Sequence, residues 1–189
     1  MADPLRRDRQ RLLHLLRELS FERRSVTLAS GRPSDFYIDC RRTALTAEGH
    51  YLVGRLMLEA IRRLAPEATA VGGLTLGADP LASAISLTSY LAAQPLTAFI
   101  VRKEPKGHGT GQWIEGRALL VRNDRVAIVD DVVTTGGSTL QAIHRCKEEG
   151  LVPVAAFALV DRREGGAEAI EAEGVKLHAL YERSDFMGK

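Results

Sequence analysis

The sequence predicts an α/β protein with a mostly parallel central sheet flanked by helices on both faces. Three features lead there. Short apolar runs at residues 70–74, 96–101, 126–129, 154–160 and 175–181 alternate with segments of helical period. Residues 154–160 are apolar without interruption, the mark of a strand covered on both sides rather than wetted on one. Residues 126–129, a helical segment over 139–149 stopped by Gly150, and residues 154–160 follow one another as a strand–helix–strand unit. In such sheets ligands gather at the carboxyl ends of the strands.

The first segment carries Leu5, Leu12, Leu13, Leu16 and Leu19 at near-helical spacing among Arg6, Arg7, Arg9, Arg11 and Arg17. That pattern predicts an amphipathic helix with a solvated arginine face. Residues 26–28 and 36–40 read as two short strands joined through Ala29-Ser30-Gly31-Arg32-Pro33-Ser34, a hairpin ahead of the main core. Thr46 is placed to cap a helix in which Leu52, Val53, Leu56, Met57, Ala60, Ile61 and Leu64 share a face, with Pro66 as its stop. After the strand at 70–74 comes a loop over 75–79, then a helix with Asp79 as N-cap and Pro80 in its first position. Over 102–116 the pattern breaks, with Gly107, Gly109, Gly111 and Gly116 diluting charged and polar residues; an irregular segment this long is functional or disordered. A last helix over 167–173 precedes the strand at 175–181. No repeat or linker divides the chain, so residues 1–189 are expected to form one domain.

With 45% hydrophobic and 26% charged residues and a net charge of +2, the composition gives no support for binding nucleic acid or a membrane surface. No apolar run approaches the ~20 residues a bilayer requires, and the first ten residues are too polar for a secretory signal. A soluble cytoplasmic protein is expected. Cys40 and Cys146 lack metal-ligand spacing and read as small buried apolar residues.

The stretch Val126-Ala127-Ile128-Val129-Asp130-Asp131-Val132-Val133-Thr134-Thr135-Gly136-Gly137-Ser138-Thr139 runs from a buried strand through paired acids to hydroxyls, glycines and a helix. It reads as a phosphate cradle, because glycines let backbone amides approach an anion and the helix aims its positive end there. Acids beside a phosphate need a second ligand feature. Asp130 and Asp131 can accept hydrogen bonds from neighbouring ribose hydroxyls while the amides of Thr135, Gly136, Gly137 and Ser138 hold the 5-phosphate. A plain strand-to-helix turn with capping residues is the simpler alternative, but one cap does not require all these polar and glycine positions. It is not a Walker loop, because no Gly-Lys-Ser/Thr follows. The order closely resembles the phosphoribosyl diphosphate motif of the type I phosphoribosyltransferases. That resemblance implies their fold, with a small N-terminal hood over the sheet, and makes the whole stretch from Asp130 through Val132, Val133 and Thr134 to Ser138 substrate-binding.

Arg102-Lys103-Glu104-Pro105-Lys106-Gly107-His108-Gly109 puts cations and a titratable ring on a glycine-hinged loop. Such a loop suits a departing diphosphate, whose charge grows as the ribosyl bond breaks; a solvated basic turn is the structural alternative. The pattern Arg-Lys-Glu-x-Lys-x-His-Gly resembles the catalytic loop of orotate phosphoribosyltransferases in particular. The resemblance implies catalytic roles for Arg102, Lys103, Lys106 and His108, and a homodimer in which each loop serves the neighbouring subunit. His108 is either a proton donor to the diphosphate or a hydrogen-bond donor only. It also puts Tyr37, within Ser34-Asp35-Phe36-Tyr37-Ile38-Asp39, near the orotate ring, and Arg162 with Thr134 at orotate's carboxylate and ring oxygens, where an arginine fork suits a planar carboxylate. Two positions depart from the enterobacterial form, which carries substrate-contacting lysines where this chain has Ala29 and Gly77.

The implied reaction joins orotate and phosphoribosyl diphosphate into orotidine 5′-phosphate and diphosphate, in pyrimidine synthesis. Magnesium is expected to arrive on the diphosphate and ribose hydroxyls, since no protein ligand set is visible. The rivals are another base phosphoribosyltransferase or a non-catalytic sensor of phosphoribosyl diphosphate. The remaining histidines, His14, His50, His144 and His178, read as structural or surface residues.

Overall fold

In a computed structural model that describes residues 4–24, 26–27, 33–105 and 111–187, the chain opens with helix α1 (Pro4–Leu15), which widens into a π turn over Leu16–Ser20. Leu12, Leu15 and Leu16 are buried, whereas Leu19 faces outward, because the wider turn rotates the leucine stripe off the core. Four short strands follow: β1 (Phe21–Glu22), β2 (Val26–Thr27), β3 (Pro33–Ser34) and β4 (Tyr37–Ile38). The expected pairing of 26–28 with 36–40 is replaced by two antiparallel pairs, β2 with β3 and β4 with β1. The cause is Phe36, which is fully buried with its ring 5.0 Å from Phe21 and 5.6 Å from Phe186 and so draws β4 alongside β1.

A short helix α2 (Arg41–Ala44), which the sequence pattern did not suggest, leads into α3 (Ala47–Leu64). Thr46 caps α3 as expected, its Oγ1 accepting from the Gly49 N–H at 3.0 Å. Strand β5 (Ala70–Leu74), helix α4 (Asp79–Leu91), strands β6 (Thr97–Val101), β7 (Ile114–Glu115) and β8 (Arg125–Val133), helix α5 (Gly137–Glu148), strand β9 (Val152–Asp161), helix α6 (Gly166–Glu171), strand β10 (Leu177–Glu182) and helix α7 (Arg183–Met187) complete the order. Ala78, not Asp79, is the N-cap of α4. Asp79 lies inside the helix, where its Oδ2 accepts from the Thr75 hydroxyl at 2.8 Å.

The main sheet runs β10–β9–β8–β5–β6–β7, parallel throughout except that β7 is antiparallel to β6. Alternation along each strand feeds two cores. Val71, Ala127, Val129 and Phe157 pack with α1, α3 and α4, while Ala70, Val126, Ile128 and Ala156 pack with Ala142, Ile143 and Cys146 of α5 and Ile170 of α6. Cys40 and Cys146 are buried and unbridged. From β5 the chain crosses to β6 on one side, whereas from β8 it crosses to β9 on the other. The carboxyl ends of β5 and β8 therefore diverge into a crevice at the topological switch point.

Candidate active site

That crevice is a cleft of about 380 Å³ lined by Tyr37, Asp39, Arg41, Thr75, Leu76, Gly77, Lys103, Asp130, Asp131 and Ser138, among others. Its floor is the β8–α5 junction. Strand β8 continues through Asp130 and Asp131 to Val133, so the acids lie within the strand rather than beyond it. Gly136 then takes a left-handed conformation, φ +85°, that turns the chain into α5 at Gly137, two residues earlier than the helical pattern indicated. Among the described residues, no backbone carbonyl outside the helix accepts from the N–H groups of Thr135, Gly136, Gly137 or Ser138. These amides are free to meet an anion at the positive end of a helix of 12 residues.

A residue outside the motif shapes this turn. Gly166, at the start of α6, backs onto it so closely that a Cβ there would lie 2.5 Å from the Thr134 carbonyl oxygen and 2.9 Å from the Gly136 nitrogen. The Gly165-Gly166 pair ahead of a helical pattern was the available signal.

Asp130 is only 5% exposed. Its Oδ2 accepts from the Thr139 hydroxyl at 2.7 Å and its Oδ1 from the Asp131 N–H at 3.0 Å. Burial, and then the charge of Asp131, push its carboxyl up to about 7, against the pull of those two hydrogen bonds. Burial raises Asp131 too, opposed by the Val132 N–H at 2.9 Å and by the Arg41 guanidinium. Each carboxylate oxygen has a second lone pair, so both side chains can still accept from ligand hydroxyls.

Opposite the acids lies the turn after β5. Thr75 donates its N–H to the Val101 carbonyl at 2.9 Å, and the Thr75–Leu76 peptide is cis. Gly77 presses on Asp131: a Cβ there would sit 2.4 Å from Oδ1. Glycine thus lets this backbone come against Asp131.

The remaining sequence-predicted residues take distinct places. Tyr37 lines the cleft, with the Arg24 guanidinium stacked 4.0 Å from its ring centroid. Lys103 lines it from the far rim. Arg102 is turned to a neighbouring hollow, paired with Glu115 at 2.8 Å. Val132 lines the cleft, whereas the Val133 side chain is buried in the second core and its carbonyl accepts from the Arg162 N–H at 2.9 Å. The Arg162 side chain is held beside the cleft, not on its wall, pairing with Glu164 at 2.8 Å and lying 5.3 Å from the Phe36 ring centroid. Thr134, Thr135, Gly136 and Gly137 form the adjoining turn. Lys106, His108 and Ala29 lie outside the described residues. None of His14, His50, His144 and His178 lines the cleft.

Arg41 is the contributor that sequence reasoning passed over. Asp39 grips it through Nε at 2.8 Å and Nη2 at 3.1 Å, which holds a guanidinium at the cleft rim near Asp131. The spacing Asp39-Cys40-Arg41 was visible but has many structural uses.

The model of the phosphoribosyl transferase domain matches residues 46–177 of this chain. Over 180 residues the chain is 55% identical to an orotate phosphoribosyltransferase of Sorangium cellulosum (strain So ce56), covering 95% of this chain and 93% of that protein. Its fold superposes with a TM-score of 0.82 on the Mycobacterium tuberculosis H37Rv orotate phosphoribosyltransferase in complex with Fe(III) dicitrate, at 42% identity, covering 96% of this chain and 99% of the other. The same enzyme in complex with 5-phospho-α-D-ribosyl 1-diphosphate matches with a TM-score of 0.78 at 41% identity, covering 95% and 98%. With paired acids and a glycine turn at the switch point and these relatives, the chain belongs to the phosphoribosyltransferase family, among its orotate phosphoribosyltransferases.

Proposed function

We propose that the cleft divides the labour of the orotate phosphoribosyltransferase reaction as follows. The amides of Thr135, Gly136, Gly137 and Ser138 seat the 5-phosphate, and Asp130 and Asp131 accept from the ribose hydroxyls. Tyr37, with Arg162 and Thr134 behind it, forms the orotate end. Arg102, Lys103, Lys106 and His108 stabilise the departing diphosphate. Fixing the ribosyl C1 between leaving diphosphate and entering orotate N1 supplies much of the acceleration. The observation that carries this is the meeting of Asp130, which is buried, Asp131, Ser138 and Lys103 at one crevice, beside a turn whose amides no backbone carbonyl outside the helix engages among the described residues. The complex of the Mycobacterium tuberculosis relative with phosphoribosyl diphosphate supports the donor.

Magnesium would enter on the substrate's own oxygens. Among the described residues no three His, Cys, Asp or Glu side chains cluster as a metal cage. Asp130 and Asp131 would face an ion carried in by the substrate, and magnesium that keeps several waters needs few protein ligands. When bound, the ion neutralises diphosphate charge.

The working form is proposed to be a homodimer. Leu45, Leu76, Leu87, Tyr90 and Leu91 are all more than half exposed, and a largely apolar groove of about 790 Å³ runs past Leu45, Leu76 and Pro80. The groove shares Asp39, Arg41 and Leu76 with the cleft, so a second copy seated there would lie beside the first copy's site. Residues 1–189 are taken as one domain acting in the cytoplasm; among the described residues no helix is long and apolar enough to cross a membrane.

A magnesium-dependent assay of orotate consumption with phosphoribosyl diphosphate tests the scheme. Turnover that requires both substrates supports it. Diphosphate release with hypoxanthine, adenine or uracil but not orotate refutes the base site, and binding without turnover refutes catalysis.

A further inference from the structure

We propose that Arg145, on the outer part of α5, is a positioning residue for the basic loop and acts through Trp113. The inference rests on the loop's role in diphosphate departure proposed above.

Trp113 is the only tryptophan in the chain. It is half-buried against the second core, and the Arg145 guanidinium carbon lies 3.5 Å from its ring centroid, a face-on stack. A cation in that position is attracted by the ring's quadrupole as well as packed against it, and a planar guanidinium covers the indole as an ammonium cannot. Glu148 pairs with Nη1 of the same arginine at 2.5 Å, but its side chain is exposed and such a surface pair contributes little.

The stack matters because of what Trp113 holds. Its carbonyl accepts from the Arg102 N–H at 2.9 Å, so the departing and returning legs of the loop are tied at that point. The next residues form β7, pairing Ile114 with Val101 and Glu115 with Ile100, and Glu115 binds the Arg102 guanidinium at 2.8 Å. Arg102 and its neighbour Lys103 therefore leave the sheet from a frame whose far side is held to α5 through the Arg145–Trp113 stack and the packing beneath it. The first turn of that same helix is the phosphate seat. Anchoring the loop to α5 refers the cations for one end of the substrate and the amides for the other to a single rigid element. A misplacement of about 1 Å between such groups can lower a rate by as much as ~100-fold.

The test uses the full chain with Arg145→Ala, Arg145→Lys, Trp113→Ala, the Arg145→Ala/Trp113→Ala double variant, Glu148→Ala and Lys103→Ala. Steady-state kinetics are read together with tryptophan emission. In Arg145→Ala the emission should shift to the red as one ring face opens to water, and kcat should fall roughly tenfold with little change in KM for orotate. Arg145→Lys should recover part of the loss. The double variant should be no slower than either single one, as expected for two partners of one contact. Glu148→Ala, which changes surface charge but leaves the stack, should turn over normally.

The proposal is overturned if Arg145→Ala keeps normal kcat after its emission has shifted. Unmoved emission in that variant, multiplying losses in the double variant, or an equal loss in Glu148→Ala would overturn it as well. Lys103→Ala separates the two levels: if it is fully active, the loop's role and the clamp fall together, and if it is impaired while Arg145→Ala is normal, only the clamp falls.

Discussion

Replacing Asp130 with asparagine should stabilise the unliganded protein at neutral and alkaline pH while disabling it. The carboxyl is 5% exposed and sits beside Asp131, so ionising it in the folded protein is opposed by both desolvation and like charge. Its folded value of about 7 lies above the ordinary 3.8. The protonated form is therefore favoured by folding: the associated stability is fully present below about 3.8 and is lost as pH rises through about 7. A tenfold difference in proton affinity between the folded and unfolded chain corresponds to about 1.4 kcal/mol, which sets a ceiling of ~4 kcal/mol on the loss, part of it shared with Asp131. Asparagine cannot ionise, keeps a carbonyl for the Asp131 N–H, and presents an amide to the Thr139 hydroxyl. Urea unfolding midpoints at fixed protein concentration, taken from pH 4 to pH 8.5, measure the difference. The variant should match wild type at the acid end and gain on it by up to about 1.4 kcal/mol per pH unit through the window, then level off. A difference that stays flat across the range would refute the burial and charge coupling assigned to the pair. Loss of kcat/KM in the same variant tests its part in ribose binding.

Lys103→Ala should lower kcat by roughly 100-fold with no change in urea midpoint, because the side chain is exposed and serves the cleft, not the core; steady-state kinetics beside unfolding curves decide it. Gly166→Ala places a Cβ 2.5 Å from the Thr134 oxygen, so the turn proposed to seat the phosphate must shift at a cost of about 1–3 kcal/mol, read as a lower melting temperature and a higher KM for phosphoribosyl diphosphate. Leu91→Asp puts a charge on a side chain that is 76% exposed; sedimentation should show monomers with an unchanged circular dichroism spectrum, and persistence of the dimer would move the interface elsewhere.

Much of the sheet was legible because its signal is local. The strand at 70–74 was located to the residue and four others to within a few, since each apolar run is short and bounded by turn residues, whereas the two-residue β7 fell inside the segment read as irregular. The helix capped by Thr46 was legible for a similar reason, one hydroxyl meeting one amide three residues on. The apolar run of β8 ends where two acids interrupt it, so the pattern alone stops the strand too early. What keeps the acids in the strand is tertiary: the Thr139 hydroxyl and the β9 ladder, which pairs Asp130 with Ala158 and Val132 with Val160. The partner of β4 was not legible because the choice rests on Phe36 meeting Phe186 near the other end of the chain, a contact no window reveals. At the cleft, the lining residues Tyr37, Lys103, Asp130, Asp131 and Ser138 were legible by type and spacing. Arg41 and Gly166 were not, because their value lies only in what they face.

The amides at the start of α5 are the proposed seat of the 5-phosphate, and their chemical shifts report on it directly. In isotope-labelled protein titrated with phosphoribosyl diphosphate and magnesium, the N–H resonances of Thr135, Gly136, Gly137 and Ser138 should show the largest movements in the chain, saturating together. Binding that saturates elsewhere while those four stay still would remove the phosphate from the turn and the ribose from the acid pair.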